Sequence, residues 1–195
     1  MLVSAGVITN IHYVLGKNTI EEAVERLKSN SFPKGINSLV FLLHKPAGQG
    51  KSENVLSADD PITQEFFEEI DNGHHPFKIG SDSCCVPGLI NYCKNIIPEA
   101  IDPCEGGRFS CYISPDMYLL PCSFDQKHKY AVSLKENTIE EAWNSERFDA
   151  FRYLLETRCE ECKIRNNCMG GCPLMSEVVL CNRIEKSLEV STQKG

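Results

Sequence analysis

Residues 159–181 read CEECKIRNNCMGGCPLMSEVVLC, and their five cysteines follow the spacing Cys-x2-Cys-x5-Cys-x3-Cys-x8-Cys. Two cysteines separated by two residues can place both sulfurs on one metal ion or cluster. The turn-forming pairs Asn166-Asn167 and Gly170-Gly171 let the backbone fold tightly, so that the later sulfurs converge on the same small volume. Because five thiols exceed the needs of one four-ligand site, this stretch predicts a second metal site that draws on other cysteines.

The cysteine content and the charge of the chain narrow its compartment and its partners. There are 11 Cys among 195 residues, and all of them lie beyond position 83. No apolar run approaches the ~20 residues of a membrane span, and the N-terminus lacks a secretory signal, so we expect a cytoplasmic protein with no membrane contact. In that reducing compartment, clustered cysteines indicate metal binding or catalysis rather than disulfides. A net charge of −7 opposes binding to nucleic acid.

The cysteine-free part of the chain predicts alternating strands and helices. Residues 7–15, 38–44 and 77–82 are rich in β-branched and aromatic side chains, which is typical of strands. Helical patterns fill residues 20–28 and 61–73 between them. The order β-α-β-α-β predicts right-handed parallel units of the kind found in a barrel or a doubly wound sheet. The second strand is apolar throughout, so we expect both of its faces to be buried.

Helix ends are marked by their capping residues. Thr19 with Glu22 predicts a capping box at the first helix. Asp60 and Pro61 predict the start of the second helix, and Gly73 its end.

The first few residues suggest that the chain starts inside a larger fold. Residues 2–6 have the pattern of a helix end with Gly6 as its C-cap, leading directly into the first strand. Three parallel strands alone leave open sheet edges. These features predict that the first half of a larger barrel is absent from this chain.

Two cysteine segments together resemble the SPASM domain, the twin-cluster extension of radical S-adenosylmethionine (SAM) enzymes. Residues 104–122, CEGGRFSCYISPDMYLLPC, resemble its opening, with Met117 where the family usually has Gly. The later Cys-x2-Cys-x5-Cys-x3-Cys run matches the family pattern in every spacing. Residues 2–28 and 36–50 are similar to the fourth and fifth β/α units of the radical SAM partial barrel.

This resemblance implies an α/β fold with two domains. Residues 1–98 would be the C-terminal part of a radical SAM β/α partial barrel, and residues 99–195 a small, loop-rich SPASM domain with two auxiliary [4Fe–4S] clusters. The first cluster would be bound by Cys104, Cys122 and Cys172. The second would be bound by Cys159, Cys162, Cys168 and Cys181. Structural zinc is the competing interpretation of the paired cysteines.

The fourth ligand of the first cluster stays open among Cys84, Cys93, Cys111 and an open site for substrate. Cys111 is disfavoured because it lies in a predicted strand, residues 109–114, where alternate side chains point to opposite faces. Asp82 and Cys84 share a parity at the end of the third strand. They either face the substrate cavity, with Cys84 as cluster ligand or as donor of a proton or hydrogen atom, or are a turn aspartate and a buried thiol.

Asn10 and His12 point to the same face of the first strand. If that face is the barrel interior, both residues lie near the mouth where such barrels bind ligands and would contact SAM. The alternative is a pair of polar residues at a strand end with no ligand.

The Cys-x3-Cys-x2-Cys motif that holds the catalytic cluster of radical SAM enzymes does not occur in this sequence. We therefore expect the C-terminal portion of a maturase-type enzyme that modifies a peptide or protein and is not catalytic alone. SAM would bind only if a second chain supplied the N-terminal barrel half. The alternative is a non-catalytic iron–sulfur protein that transfers electrons or binds a partner.

Overall fold

The computed structural model describes residues 2–97 and 101–182, and its first half is a parallel β-sheet with helices. The secondary structure of this half comprises β1 (Asn10–Leu15), α1 (Ile20–Lys28), β2 (Ser38–Leu43), α2 (Pro61–Asn72), β3 (Lys78–Ser81) and α3 (Val86–Tyr92). Short 3-10 turns occupy Val3–Ala5, Ser52–Asn54 and Ser83–Cys85. The predicted β-α-β-α-β order is confirmed, although the strands are shorter than their sequence patterns.

The three strands form one sheet in the order β1-β2-β3, with parallel pairing throughout. His12 lies opposite Val40, which lies opposite Gly80. The architecture is mixed α/β, and the described residues show this open sheet rather than a closed barrel. In the same residues, no helix is long and apolar enough to cross a bilayer.

Among the described residues, helices cover only one face of this sheet. Leu39, Phe41 and Leu43 of β2 are buried in the core with residues of α1 and α2. The alternate positions of β2 are only partly buried, and Asn10 and His12 of β1 are exposed on the other face. The expectation that β2 is buried on both faces is therefore wrong for the described residues, because helices pack on one side only.

Helix capping follows the sequence at α2 but not at α1. The Asp60 carboxylate accepts a hydrogen bond from the Ile62 N–H, and Gly73 ends the helix, both as predicted. The predicted capping box of Thr19 and Glu22 is wrong, because the Thr19 hydroxyl donates to the Val14 carbonyl at 2.8 Å instead. Gly6 does cap a helical segment with φ 76°, but that segment is the single 3-10 turn Val3–Ala5.

The second half is built from short elements. They are β4 (Tyr112–Ile113), β5 (Tyr118–Leu120), β6 (Val132–Ser133), α4 (Ile139–Trp143), α5 (Glu146–Thr157), α6 (Arg165–Cys168) and the 3-10 turn Ser176–Val178. The strands form an antiparallel sheet in the order β4-β5-β6. The strand predicted for residues 109–114 is reduced to two residues, and Phe148 and Phe151 of α5 are fully buried.

The two halves share a hydrophobic core. Cys172, Val178 and Leu180 pack in the same buried cluster as Leu15 of β1 and Phe67 of α2. The predicted domain boundary at residues 98 and 99 lies outside the described residues.

Candidate metal centres

One group of cysteines forms where the end of β3 meets the loop after α6. Cys84 lies in the 3-10 turn that Asp82 caps by accepting a hydrogen bond from the Cys85 N–H at 3.2 Å. From this turn the Cys84 thiol lies next to the Cys172 sulfur, and hydrogen bonding between the two is the largest influence on the pKa of Cys84. That hydrogen bond, together with burial, raises the pKa of Cys84. It lowers the pKa of Cys172 despite burial, with help from the Leu174 and Met175 N–H groups.

Cys104 and Cys122 belong to the same group. The pKa of Cys104 is raised to about 11, chiefly by burial and also by the charges of Cys122 and Cys172, against a hydrogen bond from the Gly106 backbone. Burial likewise raises the pKa of Cys122, with Cys172 adding to the effect and a backbone hydrogen bond from Phe124 opposing it. Cys172 thus lies within electrostatic reach of three other thiols, which we call the first site: Cys84, Cys104, Cys122 and Cys172.

The remaining cysteines of residues 159–181 form a second group. Burial raises the pKa of Cys159, and the charges of Cys162 and Cys181 add to that shift, while Arg158 opposes it. The pKa of Cys168 is also raised to about 11, chiefly by burial. A hydrogen bond from the Gly170 backbone opposes this shift, and the charges of Cys181 and Cys159 add to it. These electrostatic interactions define the second site: Cys159, Cys162, Cys168 and Cys181.

A left-handed turn separates the two sites. Met169, Gly170 and Gly171 have φ values of 52°, 70° and 72° in succession. A Cβ on Gly171 would lie 2.8 Å from Cγ of Pro87, so a glycine is needed for the loop to approach α3 this closely. The turn therefore directs Cys168 towards the second site and Cys172 towards the first, whereas the glycine pair in the sequence suggested that these sulfurs converge on one volume.

The chemistry of both groups fits a sulfur-ligated metal centre. Across residues 2–97 and 101–182, no three Cys, His, Asp or Glu side chains are arranged closely enough to hold a metal ion. The fit therefore depends on the donor sets, which are four soft sulfurs each, with backbone N–H groups facing several of them. Four thiolates are the ligand set of [2Fe–2S] and [4Fe–4S] clusters and also of structural zinc.

The other predicted site residues lie apart from these groups. The Cys93 thiol donates to the Phe67 carbonyl at 3.4 Å, and burial, with Asp71 adding to it, raises its pKa to about 12. Asn10 accepts hydrogen bonds from Asn37 and Ser38 on the uncovered face of the sheet, where His12 is also exposed. Cys111 is exposed. The structure thus brings Cys84, and not Cys93 or Cys111, next to Cys172.

Sequence reasoning missed Lys45. Its side chain is 7% exposed, and its ammonium lies 2.7 Å from the Asp82 carboxylate. The carboxyl ends of parallel strands meet at one edge of a sheet, so the loops after β2 and β3 were bound to be neighbours there. The signal in the sequence is a lysine directly after an apolar strand.

Comparison with known proteins identifies the segment that contains most of these thiols. Residues 104–169 match the family model of SPASM, an iron–sulfur cluster-binding domain. No curated protein and no solved structure shows a significant match to the chain. The matched segment contains two of the four first-site cysteines and three of the four second-site cysteines, and it begins after Cys84 and ends before Cys172 and Cys181. Residues 104–169 of this chain are accordingly a SPASM domain, and SPASM domains bind iron–sulfur clusters.

Proposed function

We propose that the chain binds two [4Fe–4S] clusters, one at each cysteine site. The observation that carries this proposal is the division of eight thiols into two groups of four, with the SPASM segment contributing to both. Cys84 would be the fourth ligand of the first cluster, because it is the thiol outside the SPASM segment that interacts most strongly with Cys172. Asp82 caps a turn and pairs with Lys45, which favours a structural role for it over a catalytic one. As a cluster ligand, Cys84 would not act as a donor of a proton or hydrogen atom.

The clusters would serve a cytoplasmic enzyme of the radical SAM type that modifies a peptide or protein. The parallel β/α units and their uncovered face, with Asn10 and His12 exposed on it, support a partner chain that completes the barrel and supplies the site for SAM. The absence of Cys-x3-Cys-x2-Cys from the sequence supports the second candidate function, a non-catalytic iron–sulfur protein in electron transfer or partner binding.

Metal analysis tests the clusters. After anaerobic reconstitution we expect about eight iron and about eight sulfide per chain, the content of two [4Fe–4S] clusters. Stoichiometric zinc without acid-labile sulfide would show that the sites are structural zinc sites and would overturn the proposal.

A matched pair of cysteine variants tests the fourth ligand. Cys84→Ala should lose about half of the iron, because the first cluster would lack one of its four thiolates. Cys93→Ala is the control, since this thiol is also partly buried and outside the SPASM segment but contacts Phe67 instead. Cys162→Ala should remove only the second cluster. Iron loss in the Cys93 variant with none in the Cys84 variant would reverse the assignment.

SAM cleavage separates the two candidate functions. The reconstituted chain with dithionite and SAM should form no 5′-deoxyadenosine, because no three-cysteine loop leaves an iron open for SAM. Formation of 5′-deoxyadenosine by this chain alone would contradict the need for a partner. Formation only after addition of a chain that carries Cys-x3-Cys-x2-Cys would favour the enzyme over the electron carrier.

A further inference from the structure

A buried cation lies beside the first site. Lys45 follows β2, its side chain is 7% exposed, and its Nζ lies 2.7 Å from the Asp82 carboxylate and 3.1 Å from the Leu43 carbonyl. Taking an ammonium out of water is costly, and a lysine is rarely fully buried unless it is paired. The exposed lysines of the same chain face no such cost, as at Lys28, which is 52% exposed in its pair with Glu65.

Lys45 is held between the loops that carry two of the first-site cysteines. On one side Asp82 lies two residues before Cys84. On the other side the ammonium lies 5.0 Å from the ring centroid of Phe124, which lies two residues after Cys122. A cation over an aromatic face is favourable, more so when desolvated, so Phe124 helps to fix the ammonium here.

The charge of Lys45 reaches the sulfurs. It lowers the pKa of Cys122 and of Cys172, in each case as a smaller effect than burial. At Cys84 it opposes the hydrogen bond to Cys172 and burial, and its effect exceeds that of the Asp82 charge. The ammonium therefore acts on three of the four thiols of the first site.

We propose that Lys45 tunes the reduction potential of the cluster at the first site, where its ammonium, positioned by Asp82 and Phe124, stabilises the additional negative charge of the reduced cluster. The inference rests on the proposed function, because it requires a cluster on Cys84, Cys104, Cys122 and Cys172. Reduction adds one electron from an external one-electron donor to the cluster and breaks no bond. Net charge and nearby polar groups are among the features that set such potentials.

Redox titration of the reconstituted full chain, followed by electron paramagnetic resonance, tests the proposal. Lys45→Met should lower the midpoint potential of the first-site cluster and leave that of the second-site cluster unchanged. The first-site cluster is identified as the redox couple that remains in Cys162→Ala. At a fixed ambient potential we expect a tenfold fall in the ratio of reduced to oxidised cluster, which is about 59 mV for one electron. Lys45→Arg keeps the charge and should keep the potential. Lys28→Met removes an exposed charge, which solvent and salt screen, and should change neither couple.

Several outcomes would overturn the proposal. One is an unchanged first-site potential in Lys45→Met with full iron content. If the Met variant loses iron, Lys45→Gln, which is neutral but still able to hydrogen-bond to Asp82, replaces it in the titration. Iron loss in both neutral variants but not in Lys45→Arg would mean that the charge is needed for cluster binding, and it would equally overturn a tuning role. A wild-type chain without clusters would instead refute the proposed function, which the iron and sulfide assay shows before any titration.

Discussion

Met117 occupies a backbone conformation that glycine adopts more readily. Its φ of 67° lies in the left-handed region, and its backbone is fixed there by hydrogen bonds with Ser114 and Leu134 on either side of the turn. The side chain is 46% exposed, so its packing gives little compensation. The SPASM resemblance places a glycine at this position, and the conformation explains why that residue suits the turn.

Replacing Met117 with glycine should stabilise the protein. The left-handed conformation costs an L-residue roughly 1–2 kcal/mol. Glycine avoids this cost but loses roughly 0.5–1 kcal/mol more backbone entropy on folding. We therefore expect Met117→Gly to raise the free energy of unfolding by about 0.5–1 kcal/mol. Urea denaturation measures this gain. Met117→Ala removes the same exposed side chain but keeps Cβ, so it should show no comparable gain. Equal stabilisation by alanine and glycine would exclude backbone strain as the cause.

Tyr13 should make stability depend on pH in the alkaline range. Burial, followed by the charge of Glu22 and the hydrogen bond to it, raises the pKa of Tyr13 from 10.0 to about 12. Between these values the unfolded chain loses the phenolic proton while the folded chain keeps it. The free energy of unfolding therefore falls as the pH rises through this window, and the contribution of Tyr13 is complete only below it.

Comparison with Tyr13→Phe isolates this contribution, because other groups that titrate in the same range are common to both proteins. The stability advantage of the wild type over Tyr13→Phe should shrink between about pH 10 and about pH 12, as measured by urea unfolding under reducing conditions. A difference that stays constant over this range would show that Tyr13 titrates normally in the folded state.

At the scale of elements, one hexapeptide starts two helices in different ways. Residues 18–23 and 137–142 both read NTIEEA. Before α4, Thr138 and Glu141 form a complete capping box. At α1, Glu22 instead forms an ion pair at 2.7 Å with Arg26, which lies four residues later. The residue four positions after Glu141 is the uncharged Ser145. The local sequence allows a capping box at both helices, and the neighbouring side chains determine whether it forms.

Thr138→Ala should therefore destabilise the protein by about 1 kcal/mol, the usual cost of losing an N-cap side chain. Chemical denaturation would show this as a lower midpoint with an unchanged slope. Thr138→Ser retains a hydroxyl that can accept from the Glu141 N–H and should restore most of the loss. If serine were as destabilising as alanine, the methyl group rather than the cap would be responsible.

Long periodic elements were predictable from the sequence, and short ones were not. The patterns of α1 and α2 extend over several turns, so their positions were correct to within a residue or two. Strands β5 and β6 have three and two residues, too few to show an alternation. Local cysteine spacing defined most of the second site, but the contact of Cys84 with Cys172 and the burial of Lys45 are tertiary features. No local pattern distinguished Cys84 from Cys93.

At the scale of the whole molecule, the SPASM segment and the β/α units are packed as one structure. Val178 and Leu180, which lie between Cys172 and Cys181, are buried in the core formed by the parallel sheet and its helices. Gly171 meets Pro87 at the same interface. The first site itself joins the two parts, since Cys84 follows β3 and its partner thiols come from the second half. We therefore expect the parts to unfold together.

A core variant in the first half tests this cooperativity through a probe in the second. Leu27 of α1 is 1% exposed, so Leu27→Ala should lower the free energy of unfolding by about 2–5 kcal/mol. Trp143 is the single tryptophan and packs with Phe148 and Leu119, away from Leu27. In the metal-free, reduced protein, the transition seen by Trp143 fluorescence should shift together with that seen by far-UV circular dichroism.

Ile139→Ala, an exposed change in the same helix as Trp143, should shift neither by much. A tryptophan transition unmoved by Leu27→Ala, beside an earlier transition in circular dichroism, would show two independently unfolding units and would mean that the shared core contributes little to the stability of the SPASM segment.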